Sequence, residues 1–414
     1  MKQLNQWFSE QRPDSRGSKA GSADAHRMEF EVDLDRIIFS RPFRSLQNKT
    51  QVVPLPEHDF VHTRLTHSLE VSSVARSLGR QAAQGLMEKG LLASDAAYLS
   101  PQWGAVCAAA ALAHDLGNPP FGHAGEEAIS RWFQKNHLPG LTVEEQADLQ
   151  AFEGNAQGFR LLVGRKDLRP TFATLGAFSK YPCPAYFPKR NKSKRSQKKY
   201  GWFRSEEQAF RAMAEACDLP VADESLGAFG RHPLCWLVEA ADDISYLLVD
   251  LEDAVLMGVV PLTGMLELVQ PILGKGFEPD PRFWTRPLAD QAGLLRAMAI
   301  QQLIRSAGDT YVANAEAYIS GALDRSLDEL LPESESMKAL QGFSRKQIYQ
   351  SERVLELQAA GFELLPKLMD MFMEACLDRW EHGDGCSARN RNLTALLPVD
   401  CTPEQSVYAL ARQV

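Results

Sequence analysis

From Asp33 onward, apolar positions recur three and four residues apart, and few segments alternate with period two. Valine, isoleucine and threonine are not gathered into short runs. This spacing predicts an all-α, mainly helical fold. Three predicted helices stand out. The first starts near Thr66 and runs to about Met87, with Val71, Val74, Leu78 and Ala82 as its apolar stripe. His67 lies one turn before Val71 on that same face. The second runs from about Gln102 to Leu116 and is rich in alanine, with Trp103, Cys107 and Ala110 in line with His114. Gly117 can cap it, and Pro119 and Pro120 prevent its continuation. The third runs from about Pro233 to Met257, with Leu237, Ala241, Ile244, Leu248 and Leu251 as its buried stripe. Asp242, Tyr246 and Asp250 follow at successive turns along an adjoining strip.

Residues 1–25 read as a flexible N-terminal arm, since the stretch from Arg12 to Ala25 is rich in Ser, Gly and Ala. Residues 26–260 form the expected core, interrupted by a long loop over 181–204. Residues 261–414 return to helical spacing and are expected to pack on that core. The loop opens with Pro182, Pro184 and Pro188 and continues through Lys189, Arg190, Lys192, Lys194, Arg195, Lys198 and Lys199. Such a run is either a solvated mobile segment or a strip that reaches a polyphosphate or nucleic acid.

The net charge is −8, so recognition of phosphate has to come from local clusters of this kind. The chain has 414 residues and no apolar run of about 18, so no membrane span is expected. The segment from Met1 to Glu10 lacks the apolar core of a signal peptide. Seven scattered cysteines, with no Cys-x-x-Cys pair, fit a reducing cytoplasm and argue against a thiolate zinc site.

His114-Asp115 ends an apolar helix with two side chains able to bind metal. A carboxylate there needs compensation, from a metal or from an ion pair, and the dipeptide serves either. His67 on its own reads as a hydrogen-bonded core histidine as readily as a ligand. Asp242, at the edge of another apolar face, completes a set of imidazole and carboxylate donors. Such donors suit a divalent ion such as Mg, Mn, Fe, Co or Ni, and two aspartates would balance its charge.

His67, His114-Asp115 and Asp242 also reproduce the H…HD…D pattern of the HD superfamily of phosphohydrolases. Arg36 to Ser40, Phe43 to Val52, Thr63 to Val71, His114 to Glu126, Phe152 to Gln157 and Ala241 to Tyr246 resemble its bacterial dGTPase branch. The likeness is dense from about Arg12 to Met257 and looser beyond. It departs at the C-terminus, where the chain reaches Val414 before any Gly-Met-Thr-Asp segment of the kind many bacterial relatives carry.

The resemblance implies an HD-domain helical core with additional C-terminal helices. It implies hydrolysis of deoxynucleoside triphosphates, dGTP or several dNTPs, to deoxynucleoside and tripolyphosphate. His67, His114, Asp115 and Asp242 match the metal ligands, and His123 and Glu126 the catalytic pair. Gln51 matches a residue contacting the 3′ hydroxyl, Arg64 and Lys180 match phosphate contacts, and Tyr246 and Asp250 lie where relatives hold the sugar and phosphates. A dimer-based oligomer, extending to a hexamer, is expected, with single-stranded DNA or an allosteric nucleotide as further partners. Two alternatives remain: an HD-type phosphodiesterase or nucleotidase, and a catalytically idle protein that binds nucleotide or single-stranded DNA. The absence of a Gly-x4-Gly-Lys-[Ser/Thr] loop excludes a P-loop NTPase.

Overall fold

The structure is a computed structural model that describes residues 5–13, 27–49, 62–93, 98–186, 190–274, 276–397, 405–412 and 414. Gln51, Lys189, Cys401 and residues 14–25 of the expected arm lie outside the described residues. The chain is mainly helical, as its apolar spacing predicts. Helices α1 (Glu29–Phe39), α2 (Arg41–Ser45), α3 (Arg64–Glu88), α4 (Ser100–Ala113), α5 (Gly122–Lys135), α6 (Val143–Gln150), α7 (Gly154–Gly164), α8 (Phe172–Phe178) and α9 (Glu207–Ala216) make the first part. A short antiparallel pair, β1 (Val221–Asp223) and β2 (Ala228–Phe229), follows, with Val221 opposite Phe229. Then come α10 (Cys235–Leu256), α11 (Leu262–Leu273), α12 (Leu288–Ala313), α13 (Ala315–Ile319), α14 (Ser334–Gln347), α15 (Glu352–His382), α16 (Ala388–Thr394) and α17 (Val407–Ala411). Among the described residues, no helix is long and apolar enough to cross a membrane.

Helices α3, α4 and α10 form the centre, and α12 packs on both α3 and α10. Every residue of α4 from Trp103 to Ala113 is buried. An alanine-rich helix has little side chain to hold its neighbours away, so α3 and α4 approach closely. At Gly79 on α3, an added Cβ would stand 2.7 Å from the Trp103 carbonyl. The main core runs from Phe30 and Ile37 on α1 through Leu78, Trp103 and Leu248 to Tyr311 on α12 and Leu340 on α14. A second core joins Trp132 and Phe133 of α5 to Met369 and Met373 of α15 and Tyr408 of α17.

The helix ends differ from the predicted ones for local reasons. Helix α3 begins at Arg64 because Thr63 caps it, its Oγ1 accepting the Thr66 amide at 3.3 Å. Helix α4 stops at Ala113, and His114 to Gly117 form a turn in which the Leu116 amide donates to the Ala113 carbonyl at 3.0 Å. Residues 5–13, expected in the arm, instead lie on the core. Phe8 is buried and stacks on Tyr98 at 5.0 Å, and the Trp7 carbonyl accepts from His232 Nε2 at 3.0 Å. Two large apolar rings outweigh the polar composition of the residues that follow them.

The turn after α4 is clamped against α7. A Cβ at Gly117 would run into the backbone of Gly154 and Gly158. Neither obstacle is a side chain that can rotate away. Gly117→Ala is therefore expected to lower the unfolding free energy by about 1–3 kcal/mol or more. Urea unfolding of the two proteins measures it, and equal midpoints would contradict the packing described.

Candidate metal centre and active site

His67 on α3 and His114 after α4 face each other, with ring centroids 5.3 Å apart. Asp242 on α10 completes the group, its Oδ1 lying 3.2 Å from His67 Nε2 and 3.4 Å from His114 Nε2. The three donor atoms lie within 4.8 Å of one another. Each apolar stripe seats its helix in the core and leaves the adjoining polar side chain pointing into this junction.

His114 Nδ1 bonds to the Ala111 carbonyl at 2.7 Å. A carbonyl only accepts, so Nδ1 carries the proton and Nε2 presents a lone pair. That lone pair faces an oxygen of Asp242, and two acceptors turned toward one point fit a cation between them. Two imidazoles and a carboxylate, without a thiolate, suit a divalent ion. The Ala111 bond also fixes the ring, as backbone acceptors commonly do behind metal-binding histidines.

Asp115 flanks the group. Its Oδ2 accepts from Arg64 Nη1 at 2.7 Å, and its Oδ1 accepts from Asn118 Nδ2 and lies 3.5 Å from His114 Nε2. Lys180 Nζ donates to Asp242 Oδ2 at 2.7 Å. Arg64 and Lys180, expected to touch phosphate, are thus held by the two carboxylates while still lining the same cavity. Burial opposes ionisation of both aspartates. Lys180, His114 and His67 nevertheless hold Asp242 well below the usual carboxylate range, and Arg64 with the two imidazoles brings Asp115 down to about 2.

The cavity, about 550 Å³, takes in His67, His114, Asp115 and Asp242 together with His123 and Glu126 at the start of α5. His123 Nδ1 and Glu126 Oε2 are 2.8 Å apart. Glu126 Oε1 accepts the Gly154 amide at 2.8 Å, and Lys199 Nζ lies 3.8 Å from Oε2. Burial would raise the Glu126 carboxyl, but His123 and Lys199 keep it below its ordinary value. The His123 ring is 86% exposed, so its other nitrogen is accessible from the cavity. Just before it, Phe121 sits at φ 66°, ψ 14°, a left-handed conformation that costs a bulky residue about 1 kcal/mol or more. The strain lies in the turn that aims His123.

Tyr246 also lines the cavity, 6.4 Å from the His67 ring and stacked on Tyr349 at 5.5 Å. Asp250 does not reach the wall. It is buried behind the tyrosines and accepts from Tyr349 Oη at 2.5 Å, and burial pushes its carboxyl up to about 7. Gln51 lies outside the described residues. Tyr349, Val354, Leu357 and Gln358, just before and within α15, close the cavity from the C-terminal part of the chain. Sequence reasoning did not find them, since a tyrosine past a helix end carries no signal of which distant strip it will meet. Asn118 and Asn155 were likewise missed as wall residues.

The basic segment is part folded and part exposed. Arg195 Nε donates to Glu239 at 3.2 Å, and Ser196 is bonded to Asp324 at 2.9 and 2.7 Å. Those anchors set Lys198 and Lys199 on the cavity wall, while Lys192 and Lys194 stay exposed.

Helical geometry and donor set together define an HD-domain protein, a class of metal-binding phosphohydrolases. Residues 64–152 match the HD domain family. A deoxyguanosinetriphosphate triphosphohydrolase-like protein of Synechocystis is 37% identical over 85% of this chain and 82% of its own length. One of Pseudomonas aeruginosa is 35% identical over 94% of this chain and 89% of its own. The deoxyguanosinetriphosphate triphosphohydrolase of Klebsiella pneumoniae is 30% identical over 83% and 76%. The chain belongs to the deoxyguanosinetriphosphate triphosphohydrolase-like family.

One ionic cluster secures the start of α3. His62 Nδ1 is 2.8 Å from Asp253 Oδ1 and its Nε2 is 3.2 Å from Glu70 Oε1. Burial opposes its charge, yet Asp253 and Glu70 raise its pKa to about 10. A value raised in the folded state means stability that is complete below about pH 6.5 and is lost as pH climbs through 10. Unfolding free energy is expected to fall by on the order of a few kcal/mol over that window. In His62→Gln most of that slope should vanish. Urea denaturation at both ends of the window decides, and an unchanged slope in the variant would rule the cluster out as its source.

Proposed function

We propose that the protein hydrolyses deoxynucleoside triphosphates to deoxynucleoside and tripolyphosphate at a divalent metal held by His67, His114, Asp115 and Asp242. The observation that carries this reading is that the donor group, the His123–Glu126 pair and a set of cations share one cavity. When bound, the metal supplies positive charge for a phosphate oxygen and a water of lowered pKa.

The side chains divide the remaining work. Arg64, Lys180, Lys198 and Lys199 offset the carboxyls of Asp115, Glu126 and Asp242, while burial and the neighbouring Glu239 push Asp243, which also lines the cavity, toward its neutral form. The protein's own charges therefore nearly cancel, and a polyphosphate is matched only in the metal-loaded state. Glu126 accepts from His123 Nδ1, fixing the tautomer and raising the basicity of the ring. His123, through its other nitrogen, exchanges a proton with the leaving 5′ oxygen. Tyr246, backed by Tyr349, forms the wall for the sugar and leaves little room for a 2′ hydroxyl. Val354 and Leu357 give that end an apolar surface for the base.

Each dNTP, incubated with the protein and Mg or Mn and resolved by ion exchange, should give tripolyphosphate in equal amount with deoxynucleoside. Pyrophosphate or orthophosphate as the first product would reject the reading, and so would no turnover by folded, metal-loaded protein. Asp115→Ala should lose bound metal and turnover together. His123→Ala should keep the metal and lose about 10²–10⁴ in kcat. Full turnover by the second variant would remove His123 from its assigned role.

A further inference from the structure

A second cavity, about 420 Å³, lies between α5, α7, α15 and α17, on the far side of the turn that follows α4. Its wall is mainly apolar, with Phe133, Leu149, Phe152, Leu161, Leu365 and Met369 among the lining residues. This size and composition fall within the range of small-molecule sites. One cation faces it from α7. Among the described residues Arg160 makes a single hydrogen bond, from Nη1 to the neutral Gln157 Oε1 at 3.1 Å. Among the described residues it forms no ion pair. Neither of the carboxyls nearby is bonded to Arg160, and each uses one oxygen on other partners. Asp148 accepts from Tyr408 Oη and from the Arg204 amide, both at 2.6 Å, and Glu206 pairs with Arg412 at 3.1 Å.

A guanidinium set in a mainly apolar wall without a bonded counter-ion is costly, and an incoming anion relieves that cost. The planar fork of an arginine matches a carboxylate in particular. The remaining wall is mainly apolar and accepts an alkyl body; of its other charged residues, Lys49 is held by the Asn118 carbonyl and Arg412 by Glu206. We propose that this cavity binds a small amphipathic carboxylate, its head group on Arg160 and its chain among the apolar residues of α5, α7 and α15. The site is separate from the metal centre and does not rest on the reaction proposed above. It is nevertheless wired to that centre through α7. Gln157 and Arg160 face this cavity, while the Gly154 amide one turn earlier holds Glu126 Oε1 at 2.8 Å. Asn118, which bonds to Asp115, lines both cavities.

The test uses the full chain with decanoate and its neutral counterpart decanol, by calorimetric titration and by thermal shift. Decanoate should saturate one site below its micelle concentration and raise the melting temperature. Decanol should bind about tenfold more weakly, as expected for loss of a charge-assisted bond. Arg160→Gln should bring decanoate down to the level of decanol. Leu365→Trp, which fills the cavity, should remove binding of both. The comparison of the two ligands on the unsubstituted protein needs no variant to fold. Failure of decanoate to saturate, or equal affinity for decanol, would overturn the proposal. Binding that survives both substitutions would place the ligand elsewhere and overturn it as well.

Discussion

Asp242 is a carboxylate withdrawn from bulk water, with one oxygen between two imidazoles and the other on the ammonium of Lys180. The rest of the site is arranged around keeping that charge. A lone carboxylate at this depth would take up a proton, because burial disfavours its ionised form. Lys180 and the two histidines reverse the preference. The same logic repeats at Asp115, which Arg64 holds ionised. The arginine and lysine closest to the donors thus act first on the carboxylates and only then on anything that enters. A phosphate that reaches Arg64 or Lys180 competes with an aspartate already bonded to it.

This arrangement rests on the crossing of α3 and α4. An alanine-rich helix against Gly79 lets the two backbones come close, and His67 and His114 face each other across the same helix pair. The turn that follows α4 is then pressed on α7, and that helix supplies the amide that orients Glu126. The candidate donors and the His123–Glu126 pair therefore share one support. The strained backbone at Phe121 lies just beyond that turn, at the start of α5.

The basic segment illustrates how one charge run divides its labour. Arg195 and Arg231 are drawn inward by Glu239, a buried carboxyl that these two cations bring down to about 2 against the opposing effect of burial. Arg190 lies over the Tyr200 ring at 3.8 Å. Those contacts leave Lys198 and Lys199 at the cavity and Lys192 and Lys194 in solvent. Composition alone treats all of these residues alike, but their partners are a glutamate on α10, shared by two arginines, and a tyrosine further along the same segment.

The sequence by itself determined the helical class, the three central helices to within a few residues, and the residues of the candidate metal centre, of which the fold groups His67, His114 and Asp242. Apolar spacing encodes which face of a helix is buried, and His67 and His114 lie in line with such faces, with Asp242 at the edge of another. The pairing of His123 with Glu126 was legible for the same reason, since residues three apart on a helix share a side. Tertiary structure alone decided what surrounds the donors. That Arg64 and Lys180 bind carboxylates, that Asp250 sits behind Tyr349, and that α15 closes the cavity all depend on contacts between segments far apart in the chain. Periodicity fixes the face of each helix but not which helix it meets, at what angle or at what height. Those are settled by how bulky and small side chains fit across each interface, and no single segment contains that information.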